Sequence, residues 1–90
     1  MNKVELISKV AEVTGSTKIN AESAVNTVLD TIVNAVAANE KVQIVGFGSF
    51  EKRHHESREG RNPKDGSVIQ IEAKDVPAFK AGKAFKDSVK

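Results

Sequence analysis

Two adjacent histidines, His54 and His55, stand in a charged run where imidazoles could bind a metal, move protons or meet an anion. They are the only histidines in the chain, and the sequence has no cysteine, so it offers neither a thiolate ligand nor a disulfide framework. Neighbouring strand residues point to opposite faces, which keeps this pair from chelating one ion easily. No carboxylate pair or histidine set is spaced to meet in a cleft, so no enzyme, metal or cofactor is expected. The remaining chemistry is electrostatic. From Lys52 to Lys64 five basic residues (Lys52, Arg53, Arg58, Arg61, Lys64) face two acidic ones (Glu56, Glu59), a local balance of +3. Such a run suits phosphate, and a grip on nucleic acid is the expectation.

The run belongs to Lys52–Ile71, KRHHESREGRNPKDGSVIQI, which predicts two strand-like arms closing on the turn formers Asn62 to Ser67, with Asp65-Gly66 the strongest break. A lone two-stranded ribbon is marginal in water, so something must anchor its base. On the returning arm Ile69, Ile71 and Ala73 share one face by the two-residue period, which lets the base lie on a body while the tip stands free. At the tip, Pro63 has no amide hydrogen and serves either as a rigid turn residue or as a compact wedge between base steps; composition favours the first.

Ninety residues make one small domain, yet 39% of them are apolar. A monomer with an exposed ribbon has little interior for them, and pairing of two chains is the simplest remedy. Net charge is only +2, but it is unevenly spread: residues 1 to 40 hold three basic and five acidic side chains, residues 41 to 90 eleven and seven. That predicts a scaffold followed by a binding half. The N-terminus has no long apolar run, and nothing approaches the roughly 18 apolar residues of a membrane span, so a soluble intracellular protein without a membrane partner or small-molecule substrate is expected.

Helical spacing of Val4, Ile7, Val10 and Ala11 predicts a helix over 3–13, stopped at Gly15. A second helix starts after Thr17 to Asn20 and runs to about Ala38, with Ala21, Ala24, Val25, Val28, Leu29, Ile32 and Val36 on one broad face. The pair superficially suits a helix-turn-helix reader, but no Arg or Lys lies between Ile19 and Glu40, so a core and dimerisation role is expected instead. Next come a strand at Lys41–Val45 and the turn GFGSF, whose two glycines lack the remainder of any phosphate-loop pattern; Phe47 and Phe50 are expected to pack inward. Val76 onward reads as an extended lead-in and then a short helix from about Gly82, with Ala81, Ala84, Phe85 and Val89 inward. Lys83 near that helix start opposes the dipole, a cost that a bound phosphate would offset.

The order of elements, with VGFGSF at 45–50, GRNP at 60–63 and VPAFKAGKA at 76–84, resembles the bacterial histone-like HU and integration-host-factor family of DNA-bending proteins over essentially all 90 residues. The look is nearest to the homodimeric HU branch. The resemblance implies an α+β fold: an N-terminal helical hairpin, a three-stranded antiparallel sheet with a long protruding β-ribbon arm, a short C-terminal helix, and an intertwined dimer. Its implied layout is a single DNA-binding domain over 1–90, with 1–40 for dimerisation, 41–51 and 72–79 as sheet body, 52–71 as the arm and 80–90 as the last helix. By the same likeness Arg53, His55, Arg58, Arg61, Asn62, Pro63 and Lys64 would meet DNA from the arm. Pro63 would be the intercalating wedge, while Lys3, Lys80, Lys83 and Lys86 would meet phosphates from the body. The implied function is architectural: minor-groove binding and bending of duplex DNA, preferably bent or nicked, with little sequence preference, in a bacterial nucleoid or a phage or organelle counterpart.

The chain departs from that family's pattern at its arm. His55 stands where Arg is common, beside an unusual His54; Glu59 stands where Lys is common and Asp65 where Thr is usual. Two acids there predict weak affinity for plain linear duplex. A histidine titrates near pH 6.5 in model peptides, so a DNA-facing His55 would favour binding at lower pH. Two alternatives stay open: a factor of the integration-host-factor type that bends one defined site, and arms that pair with another protein's sheet edge.

Overall fold

The computed structural model describes Met1–Lys90. Helix α1 spans Lys3–Thr14, and the Asn2 side chain caps it by accepting the Glu5 N–H at 2.9 Å. The Gly15 N–H donates to the Ala11 carbonyl and closes its far end. Helix α2 spans Lys18–Ala37, and the Thr17 hydroxyl accepts the Asn20 N–H at 3.1 Å at its start. At its end Asn39 takes a left-handed conformation (φ 67°), and the N–H groups of Asn39 and Glu40 return to the carbonyls of Val36 and Ala35. This is a Schellman closure with asparagine in the place glycine usually takes. Both helices thus match their predicted spans to within a residue or so.

Strands β1 (Val42–Ile44), β2 (Gly48–His55) and β5 (Lys74–Ala81) form an antiparallel sheet in the order β1-β2-β5. Strands β3 (Arg58–Arg61) and β4 (Val68–Ile71) form a separate two-stranded ribbon, and helix α3 (Lys83–Ser88) follows β5. The β2–β5 ladder is unbroken from Gly48↔Ala81 to His55↔Lys74. The division expected near residue 52 therefore falls later: residues 52–55 continue the body sheet, and the free ribbon begins at Arg58. Likewise β5 runs on to Ala81, so the last helix starts at Lys83 rather than at 80. Pro77 is tolerated within β5 because that strand is an edge and needs no inter-strand donor on its open side.

The chain forms two compact units, Met1–Asn34 and Ala35–Lys90. The first buries only Ala11 and Ala21 below a tenth of their surface; the second buries Val36 and gathers all four phenylalanines into one cluster. Phe50 and Phe79 are register partners with ring centroids 4.8 Å apart; Phe47 lies 5.5 Å from Phe79 and 5.3 Å from Phe85. These rings pack on each other, as expected, but not fully inward: Phe47 and Phe79 keep 42% and 43% of their surface exposed. Val28, Leu29 and Val33 on α2 are exposed as well. The total accessible surface, 7311 Å², exceeds by about 2,200 Å² the roughly 5,100 Å² of a compact 9.7 kDa monomer. Ninety residues with this much ribbon cannot close a core over those side chains.

The close approach of β2 to β5 at its first residue depends on a missing side chain. A Cβ on Gly48 would sit 2.5 Å from the Lys80 carbonyl oxygen and 2.7 Å from the Phe79 ring, and the nearer obstacle is backbone. Gly48→Ala is expected to lose about 1–3 kcal/mol of stability through overpacking, measured as a lower midpoint in urea denaturation; an unchanged midpoint would show that the strands can part without cost.

Candidate nucleic-acid interface

Alternation along β2 and β5 sorts the root of the arm into two faces. One continues outward from the phenylalanines and carries Lys52, His54 and Asp75; the other carries Glu51, Arg53, His55, Lys74 and Val76. Arg53 and His55 therefore share a face, and the register adds Lys74 opposite His55. Sequence reasoning passed over Lys74, whose relevance shows only once the strands are paired. Arg53 is partly engaged, its guanidinium lying 3.4 Å from the Glu51 carboxylate. Both groups are substantially exposed, so the pair is weak.

Beyond His55 the ladder stops. Glu56-Ser57 on one side and Glu72-Ala73 on the other are unpaired, and pairing resumes at Arg58↔Ile71. In this distal ribbon Arg58 and Gly60 share a face with Ile69 and Ile71, while Glu59 and Arg61 share the other with Val68 and Gln70. Arg58 and Arg61, both expected to meet DNA from the arm, thus emerge on opposite faces. The structure gives no contact that accounts for Glu59.

The tip is closed locally. The Asn62 N–H donates to the Ser67 carbonyl and the Gly66 N–H to the Asn62 carbonyl, both at 2.8 Å. The Arg61 guanidinium donates to the Gly66 carbonyl at 3.1 Å. Asn62 Oδ1 accepts the Lys64 N–H, and Asp65 Oδ1 accepts the Ser67 N–H, both at 2.9 Å. Pro63, exposed, stands at the corner these bonds fix. Asp65, expected both as part of the strongest turn signal and as an added negative charge, is a turn builder here, its carboxylate closing the Asx spacing Asp65-x-Ser67. Accepting the Ser67 N–H and hydroxyl holds its carboxyl below the usual carboxylate range, so it stays ionised at neutral pH.

On the body, Lys80, Lys83 and Lys86 line an open groove together with Lys41 and Lys90, which sequence reasoning left out. Lys90 also lies 3.8 Å from Asp87, an exposed pair of small consequence. Lys83 opens α3 after Gly82, whose N-cap position supplies no side-chain cap. Lys3 lies in the other compact unit, at the start of α1. On the second face of the root, the Lys52 amine donates to the Ala37 carbonyl at 2.9 Å and so satisfies an end carbonyl of α2. His54 stands between two carboxylates: Nδ1 is 2.7 Å from Asp75 and Nε2 is 3.2 Å from Glu56. The hydrogen bond to Asp75, and secondarily the charge of Glu56, raise the imidazole above its ordinary pKa; the same bond lowers that of Asp75. No three His, Asp or Glu side chains are arranged to hold a metal ion.

A family described as bacterial DNA-binding protein matches residues 1–90. The chain is 56% identical to the DNA-binding protein HU of Staphylococcus aureus and 52% identical to that of Geobacillus stearothermophilus, covering all of both proteins in each comparison. Among solved structures it resembles Anabaena HU in a cocrystal with DNA (49% identity, TM-score 0.91, 99% of this chain and 97% of that one). It also resembles HU from Thermotoga maritima (41% identity, TM-score 0.71, the whole of both chains). With a match over its full length and relatives more than half identical, the chain belongs to the bacterial DNA-binding protein family.

Proposed function

We propose that this chain is an architectural DNA-binding protein: a dimer whose two ribbons follow the minor groove of duplex DNA and bend it with little regard to sequence. The observation that carries the reading is the exposed basic ribbon ending in a pre-closed turn around Pro63, on a chain that superposes along nearly its whole length on a protein crystallised with DNA. Arg53, His55, Lys74, Arg58 and Arg61 supply the ribbon's contacts, with Asn62 and Lys64 beside the wedge. Lys80, Lys83 and Lys86, extended by Lys41 and Lys90, meet phosphates from the body, as does Lys3. Affinity then comes mainly from counterion release and selectivity from the ease with which a given duplex deforms. It is a binding protein rather than an enzyme, and it acts on the DNA of a bacterial cytoplasm. No observation favours the alternative of a factor that bends one defined site.

Pairing of two chains gives the exposed apolar residues of α2 and the open edge of the phenylalanine cluster a place to be buried. Counted over both partners, an obligate homodimer interface covers about 2,000–5,000 Å², a range that includes twice the surplus surface of the single chain. Sedimentation equilibrium should give twice the chain mass, and Leu29→Asp should shift the protein toward monomer or unfolded chain; a folded wild-type monomer at micromolar concentration would remove the dimer from the proposal.

Binding should be tighter to nicked and pre-kinked duplexes than to a matched straight one across a salt series. Pro63→Ala should reduce the bend, read by energy transfer between end labels, more than it reduces affinity, because the wedge unstacks a base step while the cations hold the backbone. Equal affinity for all three duplexes would sink the deformability argument. Lys86→Ala should weaken binding to every duplex alike and lower the salt slope by about two, because the dimer loses one phosphate contact on each chain.

A further inference from the structure

We propose that His54 is a protonation-dependent latch on the hinge between the root and the distal ribbon, its imidazolium tying Glu56 in the hinge to Asp75 on β5 and its neutral ring letting Glu56 go. The hinge is the break in pairing: Glu56-Ser57 and Glu72-Ala73 separate the last pair of the root, His55↔Lys74, from the first of the ribbon, Arg58↔Ile71. No ladder hydrogen bond crosses it, so side chains that bridge its edges have leverage over how freely the ribbon swings. His54 is placed to do this, with Asp75 as its register partner on the descending strand and Glu56 two residues ahead on the ascending one.

The chemistry of the ring makes the tie conditional. An imidazolium carries an N–H on both nitrogens and can donate to both carboxylates; a neutral imidazole has one N–H and presents a lone pair at the other nitrogen. The contact to Asp75 is shorter, 2.7 Å against 3.2 Å, so the remaining proton stays with Asp75. Glu56 then faces a lone pair, and the hinge loses its bridge.

The surrounding charges act in the same direction. Lys52 shares the face two residues earlier, with its amine held at the Ala37 carbonyl, and Asn39 adds a neutral amide beside it. Pro77, the register partner of Lys52, brings no charge, while Glu51, Arg53, His55 and Lys74 lie on the opposite face. Lys52, His54, Glu56 and Asp75 together carry no net charge with the ring protonated and −1 with it neutral. His54 titrates above its ordinary value, first through the Asp75 hydrogen bond and then through the charge of Glu56. The latch is therefore closed below the ordinary histidine range near pH 6.5 and is lost as pH rises through the raised value. Asp75, held below the usual carboxylate range, stays ionised throughout.

The test is made on the full chain without DNA, by 15N relaxation between about pH 5.5 and 8.5, with the His54 ring followed by its own chemical shifts. At low pH the amides of Arg58–Ile71 should approach the order parameter of about 0.85 typical of rigid backbone. They should fall toward about 0.6 as His54 loses its proton, with a midpoint above 6.5. His54→Gln should give a profile without that transition; Glu56→Gln should abolish it too while lowering the midpoint at which His54 titrates. A ribbon whose order ignores the titration of His54, or a transition that survives in His54→Gln, overturns the latch. Failure to bind DNA would count against the proposed function alone.

Discussion

The β2–β5 ladder is the constraint on which the rest of the second unit depends. One end pairs Phe50 with Phe79 inside the aromatic cluster, and the other pairs His54 with Asp75 and His55 with Lys74 at the root of the arm. Because the same two strands run through both places, the root inherits the register set by aromatic packing. A slip of one residue would turn the phenylalanines outward and at the same time swap the two faces of the root. Gly48 guards that register where the strands begin, since the backbone contact with Lys80 leaves no room for a side chain.

The ladder's authority ends at the hinge. Past it the ribbon is held by four register pairs and a tip whose bonds all lie between Arg61 and Ser67. The molecule therefore divides mechanical labour along one pair of strands: a root fixed by the core, and an end ordered by its own turn chemistry. Helix α2 is joined to this scheme at its last turn, where Lys52 on the root satisfies the Ala37 carbonyl.

Much of this was legible in the residues. Gly15 and Thr17 mark helix ends by local hydrogen bonding that needs no tertiary partner, and the periodicity of α1 and α2 is strong. The ribbon's two arms and its Asn62–Ser67 closure were legible for the same reason. The reach of the body sheet to His55 was not, because Lys52-Arg53-His54-His55 has no apolar alternation to announce a paired strand. Pairing across 21 residues is what makes His54 and Asp75 neighbours, and it is also what adds Lys74 to the face of His55. Phe47 was expected to pack inward; its exposure, with that of Phe79, reflects how little a 90-residue chain with a ribbon can enclose. The assignment of Pro63 as a wedge came from family resemblance, since a proline in a turn needs no further explanation.

The tip has one more consequence. Its closure uses side chains and amides drawn from seven consecutive residues, Arg61 to Ser67, with nothing borrowed from the body. Its shape should therefore be portable. Set on another antiparallel hairpin of matching register, the segment carries its corner with it. Because local hydrogen bonds fix the corner in the free chain, little conformational entropy would be left to lose were a partner to meet it.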